Sequence, residues 1–287
     1  MNPAAWGGLS ALSLGSADFA ARFSSRALGP SVALFGMLMV GSIILSLWVW
    51  ISGTPLVWEP SGFWLLVING ITTMAMTLCL YTALARGPVS VVAPIVASHP
   101  ALVVAFWVAL GTRPSVIQWL AMAVTVIGVI GVARFAKHSH EPTKSHNPYL
   151  AGTLAIAGIA CVLHAVMVVA GQAAVPIYGE LQTLWLARLI GLVSILAVLA
   201  IRTTAPIIPL RWWPIVTLQG CLDAAGYLFL FAGSQGGGRE IVAVTASAFG
   251  TVTTLLARFI LREKISWIQW CGIALVFGGI AVLVSPL

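Results

Sequence analysis

Charge is what this chain lacks. Asp and Glu together number 7 and Lys and Arg 14 among 287 residues, so 7% of the sequence is charged and 60% hydrophobic. Soluble domains carry about 25% charged residues. A chain this apolar cannot cover its own surface with polar groups in water, and the mean hydropathy of +1.04 says the same. The alternation of apolar and polar residues over about 10 positions that marks a transmembrane β-strand is also missing. Cys79, Cys161, Cys221 and Cys271 form no CxxC pair and sit inside apolar runs, as small packing residues do. There is no HExxH, GxSxG or Walker motif and no pair of carboxylates within one apolar run, which argues against enzyme chemistry and against ATP use. The basic residues are scattered singly, so the net charge of +7 makes no nucleic-acid surface. Met1-Asn2-Pro3 offers no basic start and no cleavage site; the first apolar run is expected to act as the insertion signal itself.

What the chain has is long unbroken apolar runs, such as LFGMLMVGSIILSLWVWI at 34–51. Roughly 20 such residues cross the hydrocarbon core as a helix, and only helices and closed barrels satisfy their backbone there. The expected fold is all-α and integral to the membrane. Punctuation by Gly, Pro and charge gives ten expected spans: 4–23, 31–51, 62–84, 88–110, 115–133, 148–170, 179–201, 211–232, 238–260 and 266–284. The polar stretch 134–147 reads as a linker between a first repeat, 1–133, and a second, 148–287. The halves match in order. Asn69-Gly70 pairs with Gln219-Gly220 at an offset of 150, Tyr81-x-Ala83 with Phe231-x-Gly233, and Gly87 with Gly237. Past one gap, Ile117-Gln118-Trp119 pairs with Ile268-Gln269-Trp270. Five spans per half is an odd number, so the second half must enter from the opposite side. Inverted repeats of this kind are the architecture of many secondary transporters, with the substrate site at the midplane.

Loop charge gives an orientation. Ten basic residues (Arg22, Arg26, Arg86, Arg134, Lys137, Lys144, Arg202, Arg211, Arg262 and Lys264) fall on one side and two, Arg113 and Arg239, on the other. The basic side is cytoplasmic by the positive-inside rule, so both termini are expected to face outward.

Polar residues inside the spans are costly and point to a cavity or to partners. Gln219, Asp223 and Tyr227 lie four apart, on one face of span 8. The repeat-related positions on span 3 are Asn69, Thr73 and Thr77, with Tyr81 one turn further on. Such stripes line a cavity or bond to neighbouring helices. His99 precedes Pro100 on span 4, and Pro94 adds a second break; His164 lies on span 6. Trp107 and Trp185 lie deeper than the other tryptophans and could flank a cavity. Arg188 is 18 residues before Pro206 and Asp223 is 17 after it. At 1.5 Å per residue they reach the same depth on neighbouring helices, and a buried ion pair is expected. Asp18, four residues before Arg22, reads as an i,i+4 pair near the interface. His138, His140 and His146 read as a solvated loop rather than a metal site.

Three features resemble a known family. Trp6-Gly7-Gly8 opens the first span. The hairpin APIVASHPALVVAFWVALGTRPSVIQWLAMAVTVIGVIGV joins spans 4 and 5, and FILREKISWIQWCGIALVFGGI joins spans 9 and 10. Over essentially its whole length the chain resembles the EamA type of the drug/metabolite transporter superfamily, with Glu263 at the place of that family's hairpin glutamate. The first hairpin departs from it, with Arg113 where a glutamate is usual. The nearest likeness is to YddG-type exporters of aromatic and other neutral amino acids. The resemblance implies a secondary transporter of the bacterial inner membrane working by alternating access. Its cavity would be lined by Asn69, Thr73, Thr77, Tyr81, His99, His164, Trp185, Gln219, Asp223 and Tyr227. No catalytic residue, metal or cofactor is expected. The expected partners are a small-molecule substrate and the lipid bilayer, with a homodimer left open. A nucleotide-sugar or drug-type transporter of the same fold is the alternative, an intramembrane enzyme or a channel the less favoured ones.

Overall fold

The computed structural model describes residues 3–103, 116–117, 119–120, 123–124, 127–128, 150–233, 242, 245–263 and 265–284. The polar linker, most of expected span 5, the start of span 9, Trp107, Arg113, Arg239, and the three linker histidines lie outside them. The described residues are helices and the turns that join them, with no strand among them. The helices are α1 (Pro3–Leu28), α2 (Pro30–Ser52), α3 (Phe63–Arg86), α4 (Val89–Ala97), α5 (Leu150–Ile201), α6 (Trp213–Gly233), α7 (Phe249–Ile260) and α8 (Trp267–Val284). Among the described residues four stretches are long and apolar enough to cross a membrane: Pro30–Ser52, Pro60–Arg86, Leu150–Ile201 and Leu210–Gly233.

The 52-residue α5 holds a sharp bend at Gly179, whose φ of 75° and ψ of 164° leave the helical region. Only glycine enters that region without steric cost. The bend divides α5 into arms 150–178 and 180–201. The sequence puts a connection at 171–178, but the helix runs on to Gly179, through Pro176.

The repeat is written into the packing. A Cβ on Gly70 would lie 2.5 Å from Ile190 Cβ and 3.1 Å from the Ala187 carbonyl; one on Gly220 would lie 2.7 Å from Val40 Cβ and 3.0 Å from the Met37 carbonyl. The glycines are 150 apart, and so are Val40 and Ile190, and Met37 and Ala187. Glycine lets two backbones approach closely, as at many membrane helix crossings. So α3 of the first half lies against the second arm of α5, and α6 of the second half lies against α2, in the same way. The short 3₁₀ turns Pro60–Gly62 and Leu210–Trp212 recur at the same interval.

Outside this core, large apolar side chains stay uncovered: Ile201 is 83% exposed, Leu210 85% and Trp267 80%. Water would not tolerate so many of them; a lipid surround does. Just past the bend, in the second arm of α5, Gln182 clamps the loop after α2, donating to the Val57 carbonyl at 2.7 Å and accepting from the Val57 amide at 2.9 Å.

Candidate functional site

Two helix breaks build the site. In α4 the ladder tightens after Pro94, and the Ser98 and Ala101 amides bond three residues back, to Ile95 and Ser98, at 3.3 and 3.1 Å. The second half repeats this, with the Ala248 and Thr251 amides bonded to Thr245 and Ala248 at 3.3 and 2.9 Å. Each of these residues is 150 from its counterpart. Pro100 follows the first break, and glycine, Gly250, stands at the matching place in the second. A Cβ there would meet Ala97 Cβ at 2.6 Å, so the two breaks touch. The residue after each break, His99 and Phe249, faces inward between the halves.

Two cavities meet at this point. One is lined by Leu14, Asp18, Met76, Thr77, Leu80, Val96, His164, Asp223, Tyr227 and Phe249. The other is lined by Leu14, His99, His164, Val168, Gln172, Tyr227, Leu230, Ala246, Ser247 and Phe249. Leu14, His164, Tyr227 and Phe249 belong to both and form the partition. The rings of His99 and His164 stack with centroids 3.7 Å apart and planes 16° from parallel. His99 Nδ1 is 3.2 Å from the Val96 carbonyl. Tyr227 Oη is 3.5 Å from His164 Nε2, while His164 Nδ1 is buried without a partner. Repeat-related pairs line the chamber: His99 with Phe249, His164 with Leu14, Tyr227 with Thr77 and Asp18 with Val168.

The expected site residues divide. Thr77, His99, His164, Asp223 and Tyr227 line these cavities. Gln219 is locked between helices: it accepts from Ser24 Oγ at 2.7 Å and donates to Tyr81 Oη. Asn69 accepts from Thr73 Oγ1 at 3.2 Å and packs against α5 at Gly171, where a Cβ would lie 2.6 Å from its Nδ2. Trp185 donates through Nε1 to Ser46 Oγ at 2.9 Å. Asn69, Thr73, Tyr81, Trp185 and Gln219 are thus held by interhelical or local contacts, outside the lining of these two cavities.

The charges are more instructive. Arg188 Nη2 lies 2.5 Å from Asp223 Oδ2, with the Arg188 side chain 1% exposed. Arg188 Cζ sits 5.0 Å from the Tyr227 ring centroid, a cation–π arrangement. Among the described residues Arg188 Nε and Nη1 have no hydrogen-bond partner. The guanidinium is therefore held by one carboxylate and one ring, behind the cavity wall that Asp223 and Tyr227 form.

Asp18 does not pair with Arg22. Arg22 Nη1 instead bonds Glu263 Oε1 at 2.8 Å. The same carboxylate accepts from the Val89 and Ser90 amides at 3.2 and 3.0 Å. Those are the first amides of α4, which have no intrahelical acceptor, and a carboxylate there also meets the positive end of the helix dipole. A partner 241 residues away outcompetes the neighbour one turn away because it satisfies α4 as well. Asp18 is left facing the cavity. Its role there, like those of Leu14 and Phe249, is not signalled by spacing within a helix; the offset of 150 from His164 and His99 is what would have found Leu14 and Phe249.

Among the described residues no group of three or more His, Cys, Asp or Glu is placed to hold a metal ion. Helices crossing through glycine contacts in two related halves, apolar outside and with cavities between them at paired helix breaks, define a polytopic membrane protein. The comparisons agree. A model of the EamA-like transporter family matches residues 2–134 and again 152–285, and the chain belongs to that family. It is a membrane transporter of the drug/metabolite type. No curated protein matches the sequence. One solved crystal structure is similar over 97% of this chain and 95% of that one, with a TM-score of 0.68 and 20% identity; that likeness speaks to fold alone.

Proposed function

We propose that the protein exports neutral amino acids, aromatic ones among them, across the bacterial inner membrane by alternating access. The observation that carries this reading is the chamber itself. Stacked imidazoles, the Tyr227 and Phe249 rings and apolar side chains surround it, a surface suited to a mostly uncharged, partly aromatic solute. Among the described residues the arginine at this depth, Arg188, is bound to Asp223 and buried behind the wall, which speaks against nucleotide sugars and sugar phosphates, whose charge would need free cations. The proposed architecture has ten spans in two inverted halves, 1–133 and 148–287, joined by the linker 134–147. Both termini face the periplasm, because basic loop residues gather on the other side.

The test is counterflow in proteoliposomes carrying the purified protein, with a panel of labelled amino acids. Exchange of phenylalanine, tyrosine or other neutral amino acids above that of protein-free vesicles is the expected result. Exchange of nucleotide sugars with no amino-acid exchange would overturn it.

A further inference from the structure

We propose that Asp18 is the residue that recognises the ammonium group of the transported molecule, so that an amine, and not a carboxylate, admits a compound to this chamber. The inference rests on the transport reading above and names the feature of the substrate that the site selects.

The argument begins with a charge count. Asp18 and Asp223 line the same cavity. Arg188 is committed to Asp223. Arg22, one turn along α1 from Asp18, is committed to Glu263. Among the described residues Asp18 has no hydrogen-bond or ion-pair partner. Asp18 is part-exposed, on the lining of that cavity. An ionised carboxylate accepts hydrogen bonds only, so the group that completes it is a donor, and a cation is the donor that also meets its charge.

The groups around Asp18 suit an ammonium. Thr77 and His164 line the same cavity. His164 is 5% exposed, and its Nδ1 is buried without a partner. A primary ammonium carries three N–H donors, for which Asp18, Thr77 Oγ1 and an imidazole nitrogen supply acceptors on one wall. Leu14, Met76, Leu80 and Phe249 complete the lining and would hold an apolar or aromatic body. The titratable and charged groups facing Asp18 are Asp223, Tyr227 and His164 in the cavity, and Tyr81 and Arg188 behind it. Only Arg188 among them bears a fixed positive charge, and it is paired. A carboxylate entering the chamber alone would meet a wall of its own sign.

Three probes of one shape separate the possibilities: phenylalanine, phenethylamine, which lacks the carboxylate, and 3-phenylpropionate, which lacks the amine. Each is measured with the purified full chain, by shift of its melting temperature in detergent and by competition with labelled phenylalanine in proteoliposomes. The expected result is that phenylalanine and phenethylamine bind and compete while 3-phenylpropionate does neither. Asp18→Asn should weaken both binders about ten- to hundredfold, the loss of a charge-assisted hydrogen bond, while keeping a monodisperse chain of unchanged melting temperature in the absence of ligand. Asp18→Glu should restore part of the binding. Equal binding by 3-phenylpropionate, or unchanged binding by Asp18→Asn, would overturn the role of Asp18 even if phenylalanine is transported. If the parent transports no amino acid but binds phenethylamine through Asp18, the amino-acid reading falls and the amine site stands. If phenethylamine fails to shift the parent and exchange of sodium for potassium shifts it in an Asp18-dependent way, the partner is a metal cation and the proposal is wrong.

Discussion

Removing the Asp223 carboxylate strands Arg188. The guanidinium is 1% exposed, already has two nitrogens without partners, and meets one anion, at 2.5 Å. It cannot shed its proton, so it cannot escape as a neutral group. Breaking a buried pair from one side costs about 3–5 kcal/mol. The Tyr227 face, 5.0 Å from Cζ, survives the substitution and places the loss near the lower end, about 3 kcal/mol. By the slope of folded domains of this size, about 2–4 °C per kcal/mol, Asp223→Ala should melt roughly 6–12 °C below the parent. The double variant Arg188→Met with Asp223→Leu puts apolar volume in place of both charges and should melt within a few degrees of the parent. Thermal unfolding in detergent, followed by size-exclusion recovery, measures both. Among the described residues Asp18 is the other carboxylate on the wall, so Asp223→Ala with Asp18→Asn closes the route by which Arg188 could find a new anion and should be no more stable than the single variant. If Asp223→Ala is as stable as the double variant, the pair does not carry the weight given to it here.

Four further outcomes are expected. Glu263→Ala removes both the Arg22 bond and the carboxylate at the first amides of α4, and should lower stability by about 1–2 kcal/mol, read as a melting shift. Gly70→Ala and Gly220→Ala should each cost about 1–3 kcal/mol through overpacking at their related crossings, while Gly158→Ala, where a Cβ meets open space, should be neutral or stabilising in the same assay. Thr77→Leu should keep the fold but abolish counterflow, because the added volume fills the cavity Thr77 lines; normal transport would remove that cavity from the path. A C-terminal reporter active only outside the cytoplasm should be active, and activity of a cytoplasmic reporter instead would reverse the proposed orientation.

The stripe of Gln219, Asp223 and Tyr227 is legible because a helix face is a local property of spacing. What each residue meets is not. Gln219 sits between Ser24 and Tyr81, on two other helices, and Tyr227 covers a cation that its own helix does not carry. The depth match of Arg188 and Asp223 could be counted from the turn between them, since two straight helices leave little freedom. Asp18 and Arg22 show the opposite case. Their spacing favours a pair, but Glu263 arrives from a distant hairpin with three bonds to make at once. His99 and His164 belong to separate halves, and no periodicity within either span announces that their rings stack. The break at Ala248 was equally hidden, for no proline marks it. It follows from the repeat and not from local chemistry.

Those paired breaks leave a chamber whose scaffold has two-fold relations but whose lining does not. If His99 and Phe249 were the same residue, and Tyr227 and Thr77 likewise, a solute could lie in either of two opposed poses with equal energy. The unlike pairs remove that degeneracy: His164, Asp18 and His99 have Leu14, Val168 and Phe249 at the related places. A bound molecule is thereby given a head and a tail. It would lie with one preferred heading with respect to the chain.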